Sequence, residues 1–244
     1  MADLSPDLRR LAAQLAGGPA FLLLGDVGLD RLGPVSLGYR WSGVYTTAPD
    51  RAVAEAFSGE SRTTTSLGAM SRSPSRSQSA LEVRYLFGAP HLPESERPPT
   101  SAVEEATARI RSNQELTRLV TETVTPRGTV LVEGWRAGGN LRVDDLIPLL
   151  GLLGPGQAHL FSADEWSTDP LVAAFAASGQ LLLHHDSLED GLARLVDAGA
   201  AKSAEGVAAS QHVIPLGDGF IDVDIHTWNQ IRRSARPIDL DILT

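Results

Sequence analysis

The stretch Ala20-Phe21-Leu22-Leu23-Leu24-Gly25-Asp26-Val27-Gly28 decides the fold class. Five apolar residues run without a polar break and then meet a glycine. A strand wetted on one face alternates apolar with polar, whereas a strand covered on both faces is apolar throughout. The run therefore reads as a central strand of a parallel sheet. Gly25 and Gly28 belong to the turn that leaves it.

Upstream, Ser5 and Pro6 fit the N-cap and first position of a helix. Leu4, Leu8, Leu11, Ala12 and Leu15 follow at helical spacing, and Gly17-Gly18 ends the segment, so an N-terminal helix is expected within 1–18. Downstream, Gly43–Thr46 reads as a strand, and Asp50 as the cap of a helix carrying Val53, Ala56 and Phe57. The Ser-, Thr- and Arg-rich stretch 58–80 is expected to be mostly exposed loop, as is 89–100 with Pro90, Pro93, Pro98 and Pro99. Between them Leu81–Gly88 regains strand character.

Ser101 and Glu104 form a capping box for a helix running towards Val120. Strands are then expected at Thr129–Glu133, Gln157–Phe161 and Leu181–Leu183. Helices are expected after Asp144-Asp145, after Asp169-Pro170 and after Ser187. Strand and helix alternate as far as about Ala198, the pattern of a parallel sheet with helices on both faces. Val213–Leu216 and Phe220–Ile225 around Gly217-Asp218-Gly219 read as a hairpin instead. The expectation is one α/β, Rossmann-like domain over 1–244, with a C-terminal β-hairpin and tail over 211–244.

Composition narrows the function. The chain has 244 residues, 42% hydrophobic and 21% charged, with a net charge of −9. That charge argues against a nucleic-acid surface, which needs clustered Lys and Arg. With no cysteine, disulfides, thiolate zinc sites and a Cys nucleophile are all excluded. The six histidines show no helical i, i+4 pairing with a carboxylate, so no metal is expected. No apolar run is long enough to span a bilayer, and the acidic start is not a secretory signal, so the cytoplasm is the expected location. The ending at Asp241-Ile242-Leu243-Thr244 fits a chain that is one piece of a longer protein.

Ligands of open parallel sheets bind at the carboxyl ends of the strands, where strand order reverses. Gly25 and Gly28 there would let backbone approach a phosphate. The turn is no Walker loop, because no Gly-Lys-Ser/Thr follows. Phe21–Gly28, Val44–Asp50, Val83–Gly88, Thr125–Gly134 and Thr227–Ala235 together resemble a divergent bacterial sirtuin-like domain. The branch in question is found at the N-terminus of large bacterial defence or signalling proteins.

The resemblance implies NAD or ADP-ribose as ligand, with Gly25, Asp26, Gly28, Thr46, Thr47, Asp50 and Gly88 as its binding positions. It also implies where chemistry would fail. Ala48-Pro49 stand where the family's catalytic Asn and its neighbour belong, and Phe87 stands where the catalytic His belongs. Neither replacement can relay a proton or orient a water.

Other residues at strand ends are candidate substitutes. His184, His185 and Asp186 follow the Leu-rich strand and could supply a base, although a strand-end hydrogen-bonding role fits them as well. Asp164-Glu165 reads as a helix cap, and Asp222 and Asp224 as the wet face of the hairpin. Trp41, Trp135, Trp166 and Trp228 are dispersed and read as anchors of core edges. The leading expectation is a non-catalytic sirtuin-like domain, nucleotide-sensing or oligomerising, within an anti-phage defence or signalling assembly. An active NAD hydrolase using His184, His185 or Asp50 is the first alternative. A ligand-free interaction module is the second. For partners, self-association or a larger protein assembly is expected, with neither nucleic acid nor membrane.

Overall fold

A computed structural model describes residues 4–59, 62–72, 80–124, 128–135, 139–140, 142–163, 166 and 168–199, with the backbone alone at 212–216 and 219–223. The chain divides into two compact units, 1–201 and 202–244. The first unit is a seven-stranded, all-parallel sheet in the order β3-β4-β2-β1-β5-β6-β7. Its strands are β1 (Ala20–Leu24), β2 (Gly43–Thr46), β3 (Thr63–Gly68), β4 (Ala80–Tyr85), β5 (Thr129–Glu133), β6 (Ala158–Leu160) and β7 (Leu181–Leu183). Its helices are α1 (Pro6–Gly17), α2 (Pro34–Gly38), α3 (Ala52–Ala56), α4 (Ala102–Val124), α5 (Val143–Leu150), α6 (Pro170–Ala177) and α7 (Leu188–Asp197). The expected Rossmann-like parallel sheet is therefore present.

All five residues of β1 are buried, and their alternation sorts the helices into two layers. Leu22 and Leu24 share one core with α1, α3 and α7, through Leu8, Leu11, Phe57, Leu188 and Leu192. Phe21 and Leu23 share the other with α4, α5 and α6, through Leu116, Leu119, Ile147 and Val172. Each buried leucine of this kind contributes about 1.5–3 kcal/mol. The apolar run at 20–24 is thus what the sequence reading took it for, a strand packed from both sides.

One departure from expectation has a physical cause. The stretch 58–80 was expected to be loop, yet Thr63–Gly68 pairs in parallel with β4, from Thr63↔Ala80 to Gly68↔Tyr85. It is an edge strand, half-exposed along most of its length, so no apolar signal marks it. The hairpin read around Gly217-Asp218-Gly219 is present as an antiparallel pair, β8 (His212–Leu216) with β9 (Gly219–Val223), in the second unit. Likewise, α1 starts as read, with Ser5 Oγ accepting from Leu8 N at 3.3 Å. Asp164, Glu165, Asp224, Trp228 and the motif at 227–235 lie outside the described residues.

Candidate functional site at the strand carboxyl ends

Strand order reverses at β1: the chain moves to β2 on one side and returns to β5 on the other. The loops leaving β1 and β5 would flank a ligand there. Instead they bond to each other, Gly25 N to Glu133 O at 2.8 Å and Val27 N to Gly134 O at 3.3 Å. A Cβ on Gly25 would overlap Gly134 O and the Trp135 Cα, and one on Gly28 would come within 2.9 Å of Glu133 O. Gly134 itself has φ +67°, with its Cα against Gly28. The close backbone approach that these glycines permit is an approach of the chain to itself.

Glu133 ends β5 with no exposed surface. Its Oε1 accepts from Gly134 N (2.8 Å) and from Ser162 Oγ (2.8 Å), and lies 3.6 Å from Arg31 Nη1. Its Oε2 accepts from Leu188 N (2.7 Å), the first amide of α7. Ser162 takes the left-handed conformation at φ +52°, rare for a residue with a Cβ, and is pinned there by this bond and by Ser162 N to Asp186 O at 2.9 Å. One carboxylate thereby ties together the ends of β5, β6 and β7.

A second carboxylate does the same on the first helix after β1. Glu189, from α7, accepts from Gly33 N (3.1 Å), Val35 N (3.0 Å), Ser36 N (2.8 Å) and Ser36 Oγ (2.6 Å). Burial pushes its pKa up, but the bonds from Ser36, Val35 and Gly33 prevail and hold it below the usual carboxylate range. Amides at a helix amino end are where an anion binds, and here the anion belongs to the chain.

The residues read as a nucleotide site do reach one region, the carboxyl ends of the adjacent strands β1, β2 and β4. Thr47 Oγ1 donates to Asp26 Oδ1 at 2.6 Å, and Thr46 Oγ1 accepts from Ala48 N at 3.1 Å. Asp50 Oδ1 accepts from Ala52 N (2.9 Å), while its carbonyl takes the Tyr85 hydroxyl at 3.2 Å. Gly88 has φ +77° and is backed by the carbonyls of Glu96 and Arg97. Phe87 is buried among the apolar side chains packed against α4.

His184 and His185 sit on the opposite half of the sheet, beyond β5 and β6, so they are not brought to Asp50. His185 is exposed. His184 is buried, stacked on Phe161 with ring centres 4.4 Å apart. Its Nε2 is 2.9 Å from His159 Nδ1, and His159 Nε2 is 2.8 Å from Gln14 Oε1. Gln14 Nε2 donates to Gly156 O at 2.7 Å, which leaves Oε1 to accept and makes His159 Nε2 the donor. His159 Nδ1 must then accept, so His184 Nε2 carries a proton as well. Both rings are neutral in this relay. Burial and the facing His184 lower His159 to about 3; burial lowers His184 to about 4, with Asp7 and Asp186 working against it.

Several groups in these networks escaped the sequence reading. Nothing local marked the carboxylates of Glu133 and Glu189 as ties, because apart from Gly134 N beside Glu133 their hydrogen-bond partners lie 29 to 156 residues away in sequence. His159 gave one available signal, a lone imidazole inside an apolar strand. Arg84 and Glu115, both buried, pair at 3.4 Å beneath α4, beside a cavity of about 80 Å³ lined by Phe21, Tyr45 and Arg118. Trp135 and Trp166 stack with ring centres 4.1 Å apart, and Trp41 donates to Ser36 O at 2.8 Å; all three are buried.

Among the described residues no three His, Cys, Asp or Glu side chains gather as a metal would require, and no helix is long and apolar enough to cross a membrane. Compared with family models, with curated proteins and with solved structures, the chain gives no match. The sirtuin-like resemblance rests on its short motifs alone.

Proposed function

We propose that this chain is a non-catalytic α/β module that works through protein contact rather than by binding or cleaving a nucleotide. The observation that carries this is the pair of internal carboxylates. Glu189 occupies the amino end of α2 and Glu133 accepts from the first amide of α7, two helix starts at the strand carboxyl ends. A nucleotide phosphate would have to displace a carboxylate that already holds several charge-assisted hydrogen bonds. A defence or signalling assembly, the setting the resemblance implies, is a fitting place for such a module.

A second reading, nucleotide sensing without catalysis, is favoured by one arrangement. Asp26, Thr46, Thr47, Asp50 and Gly88 reach the same sheet edge, and Asp26 is only partly buried. Of the candidates for an active hydrolase, His184 and His185 sit on a different half of the sheet from Asp50. Isothermal titration with NAD and with ADP-ribose to millimolar concentration separates the two readings. The module reading expects no saturable heat from either. Saturable heat that Asp26→Ala abolishes would replace it with nucleotide sensing.

A further inference from the structure

One polar line on α1 runs over the two buried histidines. Asp7, Arg10 and Gln14 stand three and four residues apart, on one side of the helix. Gln14 Oε1 meets His159 Nε2 at 2.8 Å, Gln14 Nε2 donates to Gly156 O at 2.7 Å, and Arg10 donates to Pro155 O. The adjacent side of α1, with Leu8, Leu11 and Ala12, is buried in the core that holds Leu188, Leu192 and Leu195 of α7. The helix is therefore at once a cover for the imidazole pair and one wall of an apolar core. It is joined to β1 through Gly18 and Pro19, and lifting it breaks no strand pairing.

Covered, the pair resists protonation. His159 has no exposed surface and His184 only 7%. His159 Nδ1 accepts from His184 Nε2, so a proton placed on it would face another across 2.9 Å. Burial is the main force holding both rings neutral. Charges face the pair from three elements. Asp7 and Arg10 lie on α1, His185 and Asp186 follow β7, and Arg194 of α7 is tied to Asp186 at 2.8 Å. The two carboxylates favour a charged His184 and His185 opposes it, while Arg10 opposes a charged His159. Asp7, Arg10, His185 and Arg194 are all exposed, so water screens them and burial decides.

We infer that α1 is an acid-released cover: protonation of His159 and His184 lifts it from the sheet and opens the apolar core between α1 and α7, while the strands stay paired. With α1 lifted, each imidazole returns towards its ordinary value, so the open form binds protons that the closed form refuses. The closed form holds fully above pH 6.5 and gives way below it, down to the closed-form values of about 4 and about 3. Between about pH 7.5 and about 5.5 each ring favours opening about tenfold, and the two together about a hundredfold. The pair lies on the half of the sheet away from Asp26, Thr47 and Asp50, so the inference stands apart from the module reading and its failure leaves that reading intact.

Hydrogen exchange of the intact chain, read by mass spectrometry and corrected for intrinsic rates, tests it. Amides of α1 are expected to lose about a hundredfold in protection between about pH 7.5 and about 5.5. At the lower pH they should exchange faster than those of β5 and ignore low urea, as a local opening does. Equal protection of α1 and β5 at every pH would overturn the inference, because the unit then opens only as a whole. Faster exchange of α1 without pH dependence would overturn it too, since the histidines would gate nothing. Gln14→Glu gives a protonated His159 a carboxylate to face in the closed form, and should cut the loss to about tenfold. An unchanged hundredfold loss in that variant would refute the assignment to His159.

Discussion

Lowering the pH from about 7.5 to about 5.5 should cost this fold roughly 2.5–3 kcal/mol through His159 and His184 alone. The two imidazoles are held neutral by burial, at about 3 and about 4 against an ordinary 6.5. Geometry gives the reason. A proton added to His159 Nδ1 would point at the proton already on His184 Nε2, across 2.9 Å. Because the folded values are depressed, the unfolded chain binds more protons below pH 6.5. Stability is therefore full above 6.5 and falls as acid is added, until the folded rings themselves protonate near 4 and 3. At pH 5.5 each unfolded imidazole lies one unit below its pKa, worth about 1.4 kcal/mol, and the two sum to the figure given. Urea unfolding followed by tryptophan fluorescence, at half-unit steps of pH, measures it. The slope near pH 5.5 should approach 2.5 kcal/mol per pH unit, about two protons taken up on unfolding. Replacing both residues by Gln should remove most of that slope. A wild-type curve flat between pH 6.5 and 5.5 would refute the reasoning.

Other expectations follow from the strand ends. Glu189→Gln replaces a carboxylate that accepts from three amides and one hydroxyl, and should cost about 1–2 kcal/mol in the same urea assay. Glu133→Gln leaves a buried site with a surplus donor facing Leu188 N or Gly134 N, and should cost about 3 kcal/mol; an unchanged midpoint would show that the knot holds nothing. Gly134→Ala puts a methyl against the Gly28 backbone at a positive φ, and should cost at least about 2 kcal/mol in chemical denaturation. Gly25→Val should likewise lower yield and melting temperature, and a calorimetric titration with NAD should be as blank for the variant as for the parent chain.

The alternation of strand and helix was legible because β1 and β7 are short apolar runs and α1, α4, α6 and α7 have side-chain caps. Leu22 and Leu24 facing one layer, with Phe21 and Leu23 facing the other, is the direct consequence of that run. Illegible elements were those whose stability is not local. The Thr-Thr-Thr-Ser run of β3 has no buried face to betray it, and the five residues of α2 are capped by Glu189 from 153 residues away. The glycines were read as a phosphate turn on local chemistry, while their partner Gly134 lay more than a hundred residues downstream. Spacing could place His184 at a strand end but could not foretell that His159 would face it.

The most direct test of the central claim is one-dimensional proton NMR of NAD, with and without micromolar protein, followed over several hours. The account predicts unchanged NAD lines, neither broadened nor diminished, because Glu133 and Glu189 already hold the amides a phosphate would need. Broadening without cleavage would contradict it in favour of a nucleotide sensor, and free nicotinamide signals would show an active hydrolase.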